Sequence, residues 1–368
     1  MANNLAMKKT MLLLTGFFFL LLLAGCLKED PLKKPYKGYA PENIGDGWAL
    51  SDPASEGLDA AALDELYRDI YADDDLWMMK SLLVFRNGKL VAESYLKTED
   101  DRTKRAAIWS CTKQVNAIIT GIAISQGYIG DVQDSIGKYL PDYIEKHPDK
   151  AGITLADLLT MRAGVDFDNA TQSDVFRQHK TDNSVDYVLG LKLNHAPGEF
   201  YNYNDGEPQV VSGIVQSATG KPLDEYGKEV LFDPLNVGNL EWLRYSAGVT
   251  LGAFGILTTP RELAKIAQCV LDSGRWEGQQ IIPPDWWEEM LTPKVFNASG
   301  DAAFGYYWWS LPDKGWYWMW GHGGQYAFIM PSKRLLVVMT SLTQVEDGFD
   351  LTLEKAMEFA DRVAAASN

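Results

Sequence analysis

Three cysteines and four histidines are all the chain has of the usual metal-binding residues in 368 positions. His147, His179, His195 and His322 stand far apart, with no HExxH pair and no Cys/His ligand spacing, so no metal site is expected. A Gly-x-Ser-x-Gly elbow is missing, which argues against a Ser-His-Asp hydrolase. So are the glycine patterns that cradle nucleotides, and no cofactor is expected. Positive charge is short: 34 Lys and Arg face 50 Asp and Glu, a net charge of −16. Such a chain repels nucleic acid and anionic surfaces. No like-charge tail and no internal repeat occur. The two cysteines that follow Cys26, Cys111 and Cys269, have no framework spacing and are expected to be free thiols.

Long apolar runs are also lacking. The run from Met11 to Leu23, behind Lys8 and Lys9, is too short for a stable membrane span and reads as an export signal. It ends in Leu23-Ala24-Gly25-Cys26, which looks like a bacterial lipoprotein cleavage box with Cys26 as the lipidated residue. The alternative is an ordinary secretory signal cut near Ala24. Leu27, where aspartate would resemble an inner-membrane retention signal, leans towards the outer membrane, facing the periplasm, in a Gram-negative host. Residues 1–25 are thus a leader. Residues 26–46, rich in Lys, Pro, Gly and Tyr, read as a tether, and 47–366 as one domain.

What is present fits a folded core: 46% hydrophobic residues and 23% charged. "SLLVFRNGKLVAESY" reads as a hairpin turning at Asn87-Gly88. Val115, Ile118, Ile119 and Ile122 mark one buried helix face, and Thr154 with Asp157 fits a capping box. "EPQVVSGIVQSATG" and "TTPRELAKIAQCVLDSG" also read as helical, with a helical subdomain over roughly 125–245. Strands return in "AFGYYWWSL", "GWYWMWGHGGQYAFIMP" and "RLLVVMTSL", before a last helix over Leu351–Ala366. The order predicts an α+β fold: an antiparallel sheet flanked by helices, built from both chain ends, with an inserted helical subdomain.

Ser-x-x-Lys occurs three times. Ser94 and Lys97 lie on a strand, where an offset of three puts them on opposite faces. Ser135 and Lys138 lie in a polar stretch with no long apolar element behind them. Ser110 and Lys113 open the long apolar helix, where the same offset puts them on one face, about 5–6 Å apart at Cβ. Free N–H groups and the helix dipole there could hold an oxyanion and, with burial, would lower the lysine pKa to leave a neutral amine as base. The other reading is that Ser110 merely caps the helix and Lys113 is solvated.

"HAPGEFYNYNDGEPQVVSG" and "GHGGQYAFIMPSKRLLVVMTS" follow in order. With these three stretches the chain resembles the serine β-lactamase and penicillin-binding-protein superfamily, and most of all its class C-like branch of esterases, D-aminopeptidases and 6-aminohexanoate-dimer hydrolases. The resemblance implies Ser110 as nucleophile, with Lys113 and Tyr203 as a coupled proton-transfer pair, either of which could be the base. It implies backbone N–H groups of Ser110 and Gln325 as the oxyanion hole. Asp205, His322, Gly323 and Gly324 fall at substrate-binding positions. Two departures stand out: Asp205 replaces the usual asparagine, and His322-Gly323-Gly324 replaces Lys-Thr-Gly. An imidazole is mostly neutral above about pH 6.5 and glycine has no hydroxyl, so a substrate carboxylate loses two partners. An ester or amide hydrolase is therefore expected, acting on small ester, amide or peptide-like molecules. A D-alanyl-D-alanine carboxypeptidase or β-lactamase is the alternative among enzymes. A non-catalytic binding lipoprotein on the same scaffold is the alternative of another class. Trp308, Trp309, Trp316, Trp318 and Trp320 are candidates for a cleft wall or for packing.

Overall fold

The structure is a computed structural model that describes residues 33–177, 180–245, 248–297, 300, 302–342 and 350–367. Cys26, its leader and His179 lie outside the described residues. In chain order come α1 (Ala60–Ala72), β1 (Met79–Arg86), β2 (Lys89–Tyr95), β3 (Ala106–Ala107) and α2 (Cys111–Ser125). Six helices follow: α3 (Pro141–Lys146), α4 (Leu155–Leu159), α5 (Asn169–Arg177), α6 (Ser184–Leu189), α7 (Gly206–Thr219) and α8 (Leu223–Gly227). Then come β4 (Leu240–Trp242), β5 (Ile256–Thr258), α9 (Pro260–Leu271), β6 (Arg275–Trp276), β7 (Gln279–Gln280) and α10 (Pro284–Leu291). The last elements are β8 (Val295–Phe296), β9 (Ala303–Phe304), β10 (Trp309–Leu311), β11 (Trp316–Gly321), β12 (Gln325–Met330), β13 (Leu335–Ser341) and α11 (Leu353–Ala365).

Eight strands form one antiparallel sheet in the order β2-β1-β13-β12-β11-β10-β9-β8. The early hairpin and the late strands meet at β1 and β13, where Leu83 faces Val338. Both chain ends therefore build the sheet, as the order of patterns predicts. Side-chain alternation divides its faces. Leu83, Phe85, Ile329 and Val338 join the core that includes α2 and α9. Leu82, Val84, Phe328 and Val337 join a second core under α1 and α11. Burial on both faces is why these strands read as continuous apolar runs rather than alternating ones.

The Asn87-Gly88 turn takes positive φ at both residues (54° and 77°), the conformation that favours this dipeptide in a two-residue hairpin. Thr154 and Asp157 make the capping box in full. The segment read as a tether is packed from residue 33 onward. The Tyr39 carbonyl accepts from Glu93 N–H, and the buried Arg261 binds Asp46 and the Glu42 carbonyl. Buried ionic partners hold this stretch where its composition suggested free chain. Cys111 and Cys269 are buried free thiols.

Candidate active site

Chain geometry ahead of α2 places Ser110. Trp109 has φ 49°, a costly left-handed conformation for a bulky residue, and Ser110 follows at the helix N-cap. The Ser110 side chain makes no capping bond. Its Oγ instead accepts from Lys113 Nζ at 2.9 Å. The other pairs do different things: Ser94 Oγ meets the Tyr71 hydroxyl, and Ser135 Oγ donates to the Ala151 carbonyl. Of the three, only the Ser110 pair has its lysine on its serine.

Lys113 is fully buried. Its ammonium also donates to Asp205 Oδ1 at 2.7 Å and to the Ala253 carbonyl at 3.1 Å. Three donors thus meet three acceptors, the full capacity of a charged ammonium. Close packing makes this possible. A Cβ on Gly252 would lie 2.1 Å from the Pro208 carbonyl, so glycine lets the Ala253 loop close on the start of α7. Asn116 of α2 ties both sides, donating to the Pro208 and Gly252 carbonyls.

This arrangement corrects the expectation of a neutral lysine. Burial alone would lower the Lys113 pKa, but the Asp205 charge and the Tyr203 phenol outweigh it and hold the ammonium above its ordinary range. Burial works against Asp205 too, yet Lys113 keeps its carboxyl below the usual carboxylate range. The placement of Asp205 is also different from that expected of a substrate-binding residue. Both its oxygens are engaged within the protein, Oδ1 by Lys113 and Oδ2 by Ser173 Oγ at 2.6 Å. Its backbone N–H donates to Asn169 Oδ1 at 2.9 Å.

Tyr203 lies with its ring centroid 5.0 Å from the Lys113 nitrogen and packs on Phe304 and Trp309. Tyr201, its sequence rival, is an aromatic packed edge-on against Phe304. Asn204 and Glu207 brace the loop. Asn204 donates to the Asn202 carbonyl and to Glu207 Oε1, and accepts from Glu207 N–H. Glu207 is buried with no cation beside it among the described residues, and burial pushes its carboxyl up to about 8.

The hairpin between β11 and β12 carries the third motif. Gly321 lies against the backbone just before the nucleophile, since a Cβ there would be 2.1 Å from the Ile108 carbonyl. Gly323 and Gly324 have φ 76° and 92°. Gln325 opens β12 with its carboxamide turned to the Ser341 carbonyl, and its own carbonyl accepts from the Cys111 thiol. His322 is half exposed, edge-on to Trp109 and 4.0 Å from Asp350.

Ser110, Tyr203, Asp205, His322, Gly323 and Gly324 line one cavity of about 770 Å³. Trp309 and Trp320 are on its wall, while Trp308, Trp316 and Trp318 are packed in the core. Sequence reading missed Trp109, Phe254 and three residues of α5: Asn169, Ser173 and Arg177. The α5 signal was available as polar residues repeating every four positions on one helix face. No group of residues able to hold a metal ion is found among the described residues.

Residues 79–361 match the sequence profile of the family described as Beta-lactamase. The chain belongs to the beta-lactamase family. It is a serine hydrolase of the β-lactamase and penicillin-binding type. The 6-aminohexanoate-dimer hydrolase of Paenarthrobacter ureafaciens is 24% identical over 241 residues, which cover 61% of this chain and 60% of that protein. This family member therefore spans less than two thirds of that hydrolase. A solved family VIII carboxylesterase superposes with TM-score 0.68 at 16% identity, covering 86% of this chain and 99% of the other. The penicillin-binding protein of Bacillus halodurans does so with TM-score 0.63 at 17% identity, covering 82% and 99%.

Proposed function

We propose that this beta-lactamase family member is an exported, lipid-anchored hydrolase that cleaves a small ester or amide through an acyl-enzyme on Ser110. The observation that carries the reading is the Ser110–Lys113–Asp205 chain of hydrogen bonds, closed by Tyr203 at the floor of an aromatic cleft. Ser110 Oγ attacks the substrate carbonyl as its proton leaves. The Lys113 ammonium has all three donors engaged and no free lone pair, so the proton goes to Tyr203 acting as a phenolate, a form that the adjacent cation stabilises and that becomes a neutral phenol on taking the proton. The tetrahedral oxyanion is held by the N–H groups of Ser110 and Gln325. Tyr203 returns the proton to the departing alcohol or amine. Water, deprotonated by the same group, then releases the acid and restores Ser110.

The third motif shapes the substrate. His322 and Gly323 offer neither a fixed cation nor a hydroxyl where the family's Lys-Thr would stand, so a β-lactam carboxylate gains little at this hairpin. Purified protein without its leader is expected to cleave short neutral p-nitrophenyl esters with kcat/KM at least about tenfold above nitrocefin, about 1.4 kcal/mol of transition-state preference. Faster nitrocefin turnover would contradict it. Anchoring rests on the Leu23-Ala24-Gly25-Cys26 box. Cys26→Ser should move the protein from the detergent to the aqueous phase, or leave it unprocessed. A wild-type protein cleaved at another site and found in the aqueous phase would refute the anchor.

A further inference from the structure

Helix α5 turns Asn169, Ser173 and Arg177 to the cleft, one residue per turn. The first two are committed to the catalytic group: Asn169 accepts from Asp205 N–H, and Ser173 donates to the Asp205 carboxylate. Arg177 lies one turn further on, about 6 Å along the helix axis. Its Nε and Nη2 donate to Asp174 Oδ1 at 3.0 and 2.6 Å, so one side of the guanidinium is held from its own helix. Its Nη1 has no partner among the described residues, and the end formed by Nη1 and Nη2 is left as a fork that fits a carboxylate.

Charge around the cavity makes this fork distinctive. Lys113 is buried and fully engaged. His322 has Asp350 at 4.0 Å. Among the described residues that line the cavity, Arg177 is the one permanent cation. It stands on α5, a different element from the hairpin where the family's lysine would be. Much of the remaining wall is aromatic, with Trp109, Phe254, Trp309 and Trp320. Such a surface suits an aliphatic chain that leads from the scissile carbonyl to a distant charge.

We propose that Arg177 is a specificity-determining residue that binds a substrate carboxylate several bonds from the scissile carbonyl, so that the preferred substrates are esters or amides carrying a remote carboxylate. The proposal rests on the serine hydrolase reading above. Arg177 is held side-on by Asp174, which orients the fork and lowers the entropy lost on binding. The recognised anion is not the β-lactam carboxylate of the hairpin, so poor nitrocefin turnover and a preference for other anionic substrates are compatible.

The test compares matched esters. Mono-p-nitrophenyl glutarate against p-nitrophenyl valerate places the charge on the acyl side. The butyrate ester of 4-hydroxybenzoate against phenyl butyrate places it on the leaving group. In one of the two pairs, Arg177→Gln should lower the kcat/KM ratio of charged to neutral ester at least tenfold, and Arg177→Lys should restore part of it. A ratio unchanged in both pairs overturns the proposal, as does an equal loss on charged and neutral esters, which marks a structural role. If wild type cleaves none of the four and Ser110 resists a fluorophosphonate, the hydrolase reading fails by itself. Glutarate binding, followed through the cleft tryptophans, then decides on Arg177: tenfold weaker binding in Arg177→Gln supports the fork, and equal affinity refutes it.

Discussion

Asp205 and Glu207 stand two residues apart, at the start of one helix, and both carboxyls are buried. Their ionisation goes opposite ways. Asp205 is held below the ordinary range and Glu207 is pushed up to about 8. Burial acts in the same direction on both, so the difference lies in the partners. Asp205 has the Lys113 ammonium at 2.7 Å, whereas Glu207 has the neutral amides of Asn204 and Ala163. The Lys113 cation, helped by the Ser173 hydroxyl and the charge of Arg177, turns one buried acid into a fixed charge, and the other, without such partners, stays a neutral brace. The two groups divide the work of the loop: one fixes the lysine at the nucleophile, and the other holds the backbone that carries Tyr203.

Removing the cation should abolish the difference. Lys113→Met leaves Asp205 buried without its partner, at an expected cost of about 3–5 kcal/mol of stability at pH 7. Activity should fall at least about a thousandfold. The Asp205 pKa would then rise, so the variant should recover stability as pH falls from 7 towards 5. Urea unfolding across that range reads the change. An unfolding free energy equal to wild type at pH 7 would show that the pair is not what holds the two acids apart.

Removing the anion is milder, because Asp205→Asn keeps an oxygen for Lys113. One negative charge fewer then stands beside Lys113 and Tyr203, so the base gains its proton less readily. The acid limb of the pH profile of kcat/KM should move to lower pH, by about one unit. An unmoved limb would mean that the Lys113–Asp205 pair takes no part in setting the proton transfer.

Glu207→Gln sharpens the comparison at the smallest cost. The Glu207 carboxyl has a higher pKa folded than its ordinary 4.5, so its contribution to stability is fully present below about 4.5. That contribution is lost as pH rises to about 8, at about 1.4 kcal/mol for each unit of that window. The glutamine variant has no such group. Its loss of stability between pH 5 and 8 should be smaller than that of wild type, by unfolding or by Tm, with the bond from Ala163 N–H lost as the cost, about 1 kcal/mol. Parallel curves would show that Glu207 does not titrate in that window.

Much of the fold was legible because alternation and helical spacing are local. The Asn87-Gly88 turn, the apolar face of α2 and the Thr154 box each follow from a few adjacent residues. The sheet built from both ends followed from the order of patterns along the chain. Ser110, Lys113 and Tyr203 were legible through motif order, and the structure brings them together. The charge on Lys113 was not. Helix position and burial are readable from its own segment, but the partner that reverses their effect stands 92 positions away. The α5 stripe was missed for a related reason: its polar residues look like a solvated face until Asp205 is seen against it. The packing of residues 33–46 depends on Glu93 and Arg261, which no local composition reveals.

The central claim is that Ser110, and no other serine of the Ser-x-x-Lys pairs, carries the acyl group. A fluorophosphonate probe followed by peptide mass spectrometry tests it directly. One adduct is expected, on Ser110, absent in Ser110→Ala, whose fold should survive because the side chain makes no capping bond. An adduct on Ser94 or Ser135, or labelling that persists in Ser110→Ala, would contradict it.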